Sequence, residues 1–323
     1  MRAAIRLGPL AVALVLAGCL GRAIDSPAPV DIQTPGTWTS LASMPSARQE
    51  VAVAELKGLV FVIGGFKSGG EPVDTVEVYD PGNDRWETRT PLPAPTHHAA
   101  AAVVDGRLFV AGGYGGGRLS WTALRTVYEY DEARSSWATR APLRVARGGL
   151  AMVALGGRLH AVGGAGDGNS TAHEVYDPAV DRWTDGPAMP TGRDHLTAAG
   201  FQGRLWAIGG RTSFMGTQYT TVEIYDPATG AWSTGLPLPV GRGGLAAATL
   251  GERLYVFGGE APFRIFSAHE MYEVAGQRWI GKDPMRTPRH GIGAAAIGNK
   301  IYVPGGATQP GLAATDVNEA YTP

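Results

Sequence analysis

Side chains able to do acid–base or binding chemistry gather at two places that recur along the chain. A recurring position, usually arginine, lies ten residues after each of several tryptophans. The first place follows directly after this position and holds Glu50, His97, His98, Asp194, His195 and His290. The second place follows recurring Gly-Gly pairs and holds Phe66, Tyr114, Arg211 and Glu260. Imidazole, guanidinium, carboxylate and aromatic groups together can hydrogen-bond and stack on a polyol or a peptide, provided that the fold joins the two places.

Six copies of one unit must position these groups. Tryptophans recur at spacings of 46 to 51 residues, and a Gly-Gly pair begins 26 residues after each of them. The tryptophans are Trp38, Trp86, Trp137, Trp183, Trp232 and Trp279, and the pairs are Gly64-Gly65, Gly112-Gly113, Gly163-Gly164, Gly209-Gly210, Gly258-Gly259 and Gly305-Gly306. A tyrosine stands seven residues before all but the first tryptophan, and Tyr321 holds that place in the last unit. A period near 48 residues indicates a repeat architecture.

Each unit reads as four short strands. Two strands joined by a tight turn such as Asp105-Gly106 precede each Gly-Gly pair, a third strand ends at the tyrosine, and the tryptophan lies on the fourth. This pattern predicts an all-β fold made of four-stranded antiparallel propeller blades. The Gly-Gly, Tyr and Trp positions resemble the kelch signature. The resemblance implies a six-bladed kelch-type β-propeller over residues 37–323.

The two ends of the repeat array indicate how the ring closes. The last unit stops after its third strand at Tyr321, whereas Trp38 has no preceding strands of its own. We expect the segment around Trp38 to supply the outer strand of the last blade, because an unpaired sheet edge would otherwise remain.

Recurring charges are interpreted as structural. Arginines stand ten residues after five of the tryptophans, glutamates stand two residues before five of the tyrosines, and both are missing from the same unit, where Thr96 and Tyr128 replace them. A buried charge without its partner costs several kcal/mol, so coincident loss indicates pairing. The predicted pairs are Arg48 with Glu77, Arg147 with Glu174, Arg193 with Glu223, Arg242 with Glu270, and Arg289 with Glu319.

The amino-terminal segment carries a targeting pattern. Arg2 and Arg6 precede an apolar stretch, and Leu16-Ala17-Gly18-Cys19 follows it. This resembles a bacterial lipoprotein signal, which implies a signal peptide over residues 1–18, a lipidated Cys19, and a flexible tether over residues 19–36. An ordinary secretory peptide with an incidental cysteine is the alternative. The expected location is the bacterial cell envelope, with the chain held to a membrane by lipid on Cys19.

Composition excludes several function classes. Lysine plus arginine number 28 against 29 acidic residues, and this balance argues against binding to nucleic acid. The lone cysteine excludes an internal disulfide and a cysteine-based zinc site. No cofactor and no metal are expected, although His97, His98, His195 and His290 could face one rim of the propeller and hold an ion. We expect a monomer.

Binding is expected on the rim where loop length varies. The distance from Gly-Gly to tyrosine runs from 13 to 18 residues, whereas the tyrosine-to-tryptophan distance on the opposite rim is always seven. Variable loops on a constant scaffold usually carry binding. The first candidate patch is the unit lacking the ion pair, although a merely divergent blade would explain it equally well. The predicted binding residues are His97, His98, Tyr114, Arg118, Trp121, Asp194, His195, Arg211, Glu260 and His290.

Two functions fit these observations. The favoured one is a non-catalytic envelope module that binds a protein or glycan through the variable-loop rim. The alternative comes from the resemblance, since bacterial kelch epimerases acting on sialic acids are also exported and six-bladed. It implies a sugar epimerase or mutarotase, with Glu260, His195 and Arg211 as candidate catalytic residues. No hydrolase elbow, phosphate loop or His-Glu-x-x-His motif occurs.

Overall fold

The computed structural model describes residues 35–118 and 120–323. Within these ranges every regular element is a β-strand, and no helix is long and apolar enough to cross a bilayer. The strands form six four-stranded antiparallel sheets, which are the blades of a propeller. The predicted six-bladed all-β fold is therefore confirmed. The predicted signal peptide, Cys19 and nearly all of the tether lie outside the described residues.

The four strands of each blade follow one another outward from the axis. Blade 1 comprises Ala52–Leu56, Leu59–Ile63, Val76–Asp80 and Arg85–Arg89; blade 2 comprises Ala100–Val104, Arg107–Ala111, Val127–Asp131 and Ser136–Thr139; blade 3 comprises Ala151–Leu155, Arg158–Val162, His173–Asp177 and Arg182–Asp185. Blade 4 comprises Thr197–Phe201, Arg204–Ile208, Val222–Asp226 and Ala231–Thr234; blade 5 comprises Ala246–Leu250, Arg253–Phe257, His269–Glu273 and Arg278–Gly281; blade 6 comprises Ala295–Ile297, Lys300–Pro304, Asn318–Thr322 and the amino-terminal strand Thr37–Ser40.

Three blades carry a small extra hairpin between their second and third strands. The hairpins pair Tyr114–Gly117 with Ser120–Ala123, Ala165–Gly166 with Gly168–Asn169, and Glu260–Ala261 with Arg264–Ile265. They lie in the loops whose length varies most in the sequence.

Burial explains why these sequences form blades. The second strand, such as Leu59–Ile63, is buried almost throughout because neighbouring blades cover both of its faces. The inner strands are rich in alanine, as in Ala100–Val104 and Ala246–Leu250, because six of them converge on the axis and leave little room for large side chains. The outer strands are largely exposed, so they tolerate charged residues.

The amino-terminal strand closes the ring as the sequence predicts. Thr37–Ser40 pairs antiparallel with Asn318–Thr322, with Trp38 opposite Tyr321. The indole of Trp38 packs edge-on against Phe257 and His269 of blade 5, and its Nε1 donates a hydrogen bond of 2.9 Å to the carbonyl of Asp283. The amino-terminal strand therefore contacts both blade 5 and blade 6.

The recurring arginines hold five of the six blades together from within. The five arginines are fully buried, and each forms an ion pair with the glutamate of the third strand of one blade. The pairs are Arg48–Glu77 (2.8 Å), Arg147–Glu174, Arg193–Glu223 (2.5 Å), Arg242–Glu270 and Arg289–Glu319 (2.8 Å). In blade 2 the corresponding side chains, Thr96 and Tyr128, are buried without a charge.

Candidate functional site

One face of the propeller joins the two sets of residues that the sequence singled out. Both the loops between second and third strands and the connections between blades end there, and we call it the variable-loop face. In every blade the residue eleven past the tryptophan forms an antiparallel bridge with the residue after Gly-Gly. The bridges are Gln49–Phe66, His97–Tyr114, Gly148–Ala165, Asp194–Arg211, Gly243–Glu260 and His290–Ala307.

The next residue of each blade lies on the propeller axis. These six residues, which we call the axial ring, are Glu50, His98, Gly149, His195, Gly244 and Gly291. Their backbones form a closed circle in which each N–H donates to the ring carbonyl of the preceding blade, at 2.8 to 3.0 Å. All six have φ between 50° and 64°, a left-handed conformation that suits glycine. Three ring positions nevertheless carry a long polar side chain.

Above the axial ring the variable-loop face encloses a cup of about 320 Å³. Its floor and sides are formed by Glu50, His98, Asp194, His195, Arg211, Glu260 and His290, and the rest of its lining comes from Phe66, Trp121, Ser213, Phe214, Gly311 and Leu312. A polar floor under aromatic walls is the usual composition of a specific binding site.

Charged and imidazole groups form a continuous series across the floor of the cup. In order around the axis, the nitrogen–oxygen contacts are His98–Glu50 (3.4 Å), Glu50–His290 (3.6 Å), His290–Glu260 (3.4 Å), Glu260–Arg211 (2.5 Å), Arg211–Asp194 (3.8 Å) and Asp194–His195 (2.5 Å). All seven side chains are at most 10% exposed. The Oε2 atom of Glu260 has no hydrogen-bond partner among the described residues, so the floor can accept a donor from a ligand.

The surroundings set the charge of three of these groups. Burial raises the pKa of the Glu50 carboxyl, but His98, His290 and His195 outweigh burial and hold that pKa well below its usual value. Burial places the pKa of His98 well below its usual value, with Glu50 opposing. For His290, Glu50 and Glu260 outweigh burial, and its pKa is raised. The histidines around Glu50 therefore favour its ionised form, whereas burial disfavours the charged form of His98.

The predicted binding residues divide into two groups. His98, Trp121, Asp194, His195, Arg211, Glu260 and His290 line the cup, and the candidate catalytic residues Glu260, His195 and Arg211 are among them. His97, Tyr114 and Arg118 are not part of its lining.

These three residues occupy supporting positions. His97 is fully buried, with its ring 4.6 Å from that of Trp121, and burial lowers its pKa to about 4. The hydroxyl of Tyr114 donates to the carbonyl of Ala165 in blade 3, at 2.9 Å. Arg118 lies beside the blade 1 loop at Gly69. His97 and Tyr114 thus support Trp121 from behind.

Comparison with known proteins identifies the repeat. Residues 47–93, 95–144 and 192–238 match one form of the kelch motif, and residues 146–190 match a second form. The chain is a kelch-repeat β-propeller. Among solved structures, one titled "Structure of YjhT" resembles the kelch propeller with a TM-score of 0.74 and 17% identity, covering 86% of this chain and 96% of that chain. At that identity the likeness concerns the fold.

Curated relatives share the kelch repeats over part of their length. Kelch-like protein 34 of Homo sapiens is 31% identical over 149 residues, which is 46% of this chain and 23% of that protein. Kelch-like protein 40 of Mus musculus is 29% identical over 176 residues, which is 54% of this chain and 28% of that protein. The matches span about a quarter of the length of these relatives.

Exposed apolar side chains surround the mouth of the cup in the kelch propeller. Trp121, Met215, Phe263 and Leu312 are 39% to 78% exposed, and all four lie on loops between second and third strands. The ring of Phe263 also packs at 6.3 Å from that of Phe214 in the cup wall. A groove of about 590 Å³ lies on the opposite face between blades 5 and 6, away from this charged floor.

Proposed function

We propose that this propeller is a non-catalytic module of the bacterial cell envelope that binds a protein partner through its variable-loop face. The supporting observation is the set of exposed apolar side chains around a polar, buried floor. An apolar patch rimmed or floored by polar groups is typical of protein interaction sites. A partner segment would cover the apolar mouth and place a hydrogen-bonding side chain on Arg211 or Glu260, which already contact each other at 2.5 Å.

Truncating the mouth is expected to weaken partner binding without unfolding the propeller. Phe263 and Met215 are 78% and 64% exposed, so replacing both by serine removes contact area but little of the core. Loss of central apolar contacts costs about 1–2 kcal/mol each, which predicts an affinity at least about tenfold lower. The immobilised mature chain would capture partners from fractions of the source cell, and affinity would be measured with the purified partner.

A control variant of the same kind lies on the opposite face. Val180 and Val274 are 62% and 37% exposed and follow third strands, so Val180→Ser/Val274→Ser should bind the partner as the unmodified chain does. Equal binding by both double variants, or capture of glycans in place of proteins, would contradict the proposed mode.

The membrane attachment is a separate part of the proposal. The lipobox-like Leu16-Ala17-Gly18-Cys19 sequence supports lipidation of Cys19 and location at a membrane of the envelope. Replacing Cys19 by serine removes the thiol that would carry the lipid, so we expect the protein to leave the membrane pellet and the detergent phase in phase partition. A variant that stays in both fractions would count against the lipid anchor.

A second candidate is a sugar epimerase or mutarotase. One observation favours it: the cup brings Arg211 within 2.5 Å of Glu260 and holds His195 Nδ1 at 2.5 Å from Asp194. A histidine oriented by a carboxylate can transfer protons, and an arginine beside it can hold an anionic sugar. Proton NMR of free sugars incubated with the chain distinguishes the two candidates, because conversion between epimers or anomers requires catalysis.

A further inference from the structure

The axial ring contains side chains at positions where the fold itself needs none. Gly149, Gly244 and Gly291 complete half of the ring with glycine, while Glu50, His98 and His195 hold φ of 53°, 55° and 50°. A side chain in this left-handed conformation costs free energy that glycine avoids. Strained residues of this kind concentrate at functional sites, so these three side chains indicate a functional site on the propeller axis.

The three side chains converge on one point. One carboxylate oxygen of Glu50 and one ring nitrogen each from His98 and His195 lie within 4.8 Å of one another. His98 Nε2 is 3.4 Å from Glu50 Oε2, which exceeds the usual N–H···O range of about 2.7–3.2 Å. Two ligands of a tetrahedral ion with bonds of about 2.0–2.1 Å lie about 3.4 Å apart. The spacing of this one pair therefore fits two ligands of a shared ion better than it fits a hydrogen bond.

The other nitrogens of both histidines already have partners. Nδ1 of His195 is 2.5 Å from Asp194 Oδ1, and Nδ1 of His98 is 2.5 Å from Nδ1 of His97. Metal-binding histidines are characteristically held through their second nitrogen by a carboxylate or another polar group, which orients the ring. Here this support leaves Nε2 as the ligand atom of both rings.

The three side chains border the cup, which also contains a carboxylate oxygen without a hydrogen-bond donor. Glu260 is 2% exposed and lines the cup, yet its Oε2 has no hydrogen-bond partner among residues 35–118 and 120–323. Such an orphaned acceptor indicates that a further species belongs in the cup.

We propose that Glu50, His98 and His195 bind one divalent transition-metal ion on the propeller axis, with its remaining coordination positions open to the cup. Two imidazoles and one carboxylate suit Zn²⁺ or Fe²⁺ and disfavour Mg²⁺ and Ca²⁺, which prefer oxygen ligands. From the sequence alone we expect no metal, and the proposal departs from that expectation because the ring places Glu50 beside two histidines that are 48 and 145 residues away in the chain. Binding of this ion does not require the proposed protein partner.

Metal binding to the chelator-treated full chain without a histidine tag tests this site. We expect one Zn²⁺ per chain by titration calorimetry, a higher melting temperature with Zn²⁺ than with Mg²⁺, and a visible ligand-field spectrum with Co²⁺. Glycine is the suitable replacement at the other three positions of the axial ring, because glycine already occupies three equivalent positions without loss of the fold. Glu50→Gly, His98→Gly and His195→Gly should each fold and lose at least about 100-fold in Zn²⁺ affinity, since loss of a supporting residue alone costs about 10–100-fold.

A histidine outside the cup provides the control. His160 lies on the second strand of blade 3 and belongs neither to the three-ligand group nor to the lining of the cup, so His160→Gln should keep one Zn²⁺ at the original affinity. Absence of stoichiometric Zn²⁺ and Co²⁺ binding by the unmodified chain would overturn the proposal. Undiminished binding by the three glycine variants would also overturn it, because the ion would then lie elsewhere.

Discussion

Deletion of residues 37–45 is expected to lower the melting temperature of the propeller by at least about 10 °C. The deletion removes the outer strand of blade 6 and Trp38, which packs against Phe257, His269 and Tyr321. It also removes Met44, which is 3% exposed. Loss of one buried tryptophan side chain costs about 3–5 kcal/mol, and each kcal/mol shifts melting by about 2–4 °C in a domain of this size.

A chain lacking residues 20–34 is the control for this deletion. It shortens the predicted tether but keeps Thr37–Ser40, so its melting temperature should match that of the mature chain. An unchanged melt after deletion of residues 37–45 would show that the ring does not depend on this strand.

A crosslink examines the same closure from the opposite direction. Thr37 and Thr322 are paired at the end of the seam. In a Cys19→Ser background, Thr37→Cys/Thr322→Cys should form a disulfide, because paired positions on neighbouring strands lie within bonding reach. Oxidation should raise the melting temperature and reduction should reverse the gain. If no disulfide forms under oxidation, the register of the seam is different.

The fold was predictable because its determinants repeat. Every unit carries the same tryptophan and Gly-Gly positions, so one local interpretation is tested six times within the chain. The closure followed from incomplete units at the two ends, with Trp38 lacking its tyrosine and Tyr321 lacking its tryptophan. Neither inference required knowledge of contacts between blades.

The candidate site was only partly predictable because its members come from different blades. The sequence showed that His98, His195 and Glu50 occupy equivalent repeat positions, but it did not show that those positions form a ring around the axis. The phenylalanine wall at Phe214 and the contact of Leu312 with the cup were missed, because they lie in loops without repeat register. Spacing alone assigns His97 and Tyr114 to binding, because it does not reveal the burial of His97 or the hydrogen bond of Tyr114 to blade 3.

The sequence predicts the pairing of each buried arginine with a glutamate because blade 2 lacks both residues. Blade 2 keeps the fold with Thr96 and Tyr128, whereas the other blades bury an arginine with its glutamate. Comparing the six repeats of one chain therefore shows which residues are replaced together, and a chain without repeats offers no such comparison.

Replacing Arg193 by methionine is expected to lower the free energy of unfolding by about 3–5 kcal/mol, because it leaves Glu223 buried without a cation. The guanidinium also donates to the carbonyls of Gly209 (2.7 Å), Thr191 (2.9 Å) and Ala207 (3.1 Å), and these acceptors lose their donor as well. Glu223→Leu alone should cost a similar amount through the unpaired arginine. Urea unfolding measures each value without screening the charges.

The double variant Arg193→Met/Glu223→Leu should be less destabilised than the sum of the two single variants by at least about 2 kcal/mol, since no buried charge remains. The control is the exposed pair Arg204–Asp226 of the same blade, at 2.9 Å, where Arg204→Met should cost less than about 1 kcal/mol. Additive single effects at Arg193 and Glu223 would mean that the two charges do not support each other. The coincident loss of both charges in blade 2 would then need another cause.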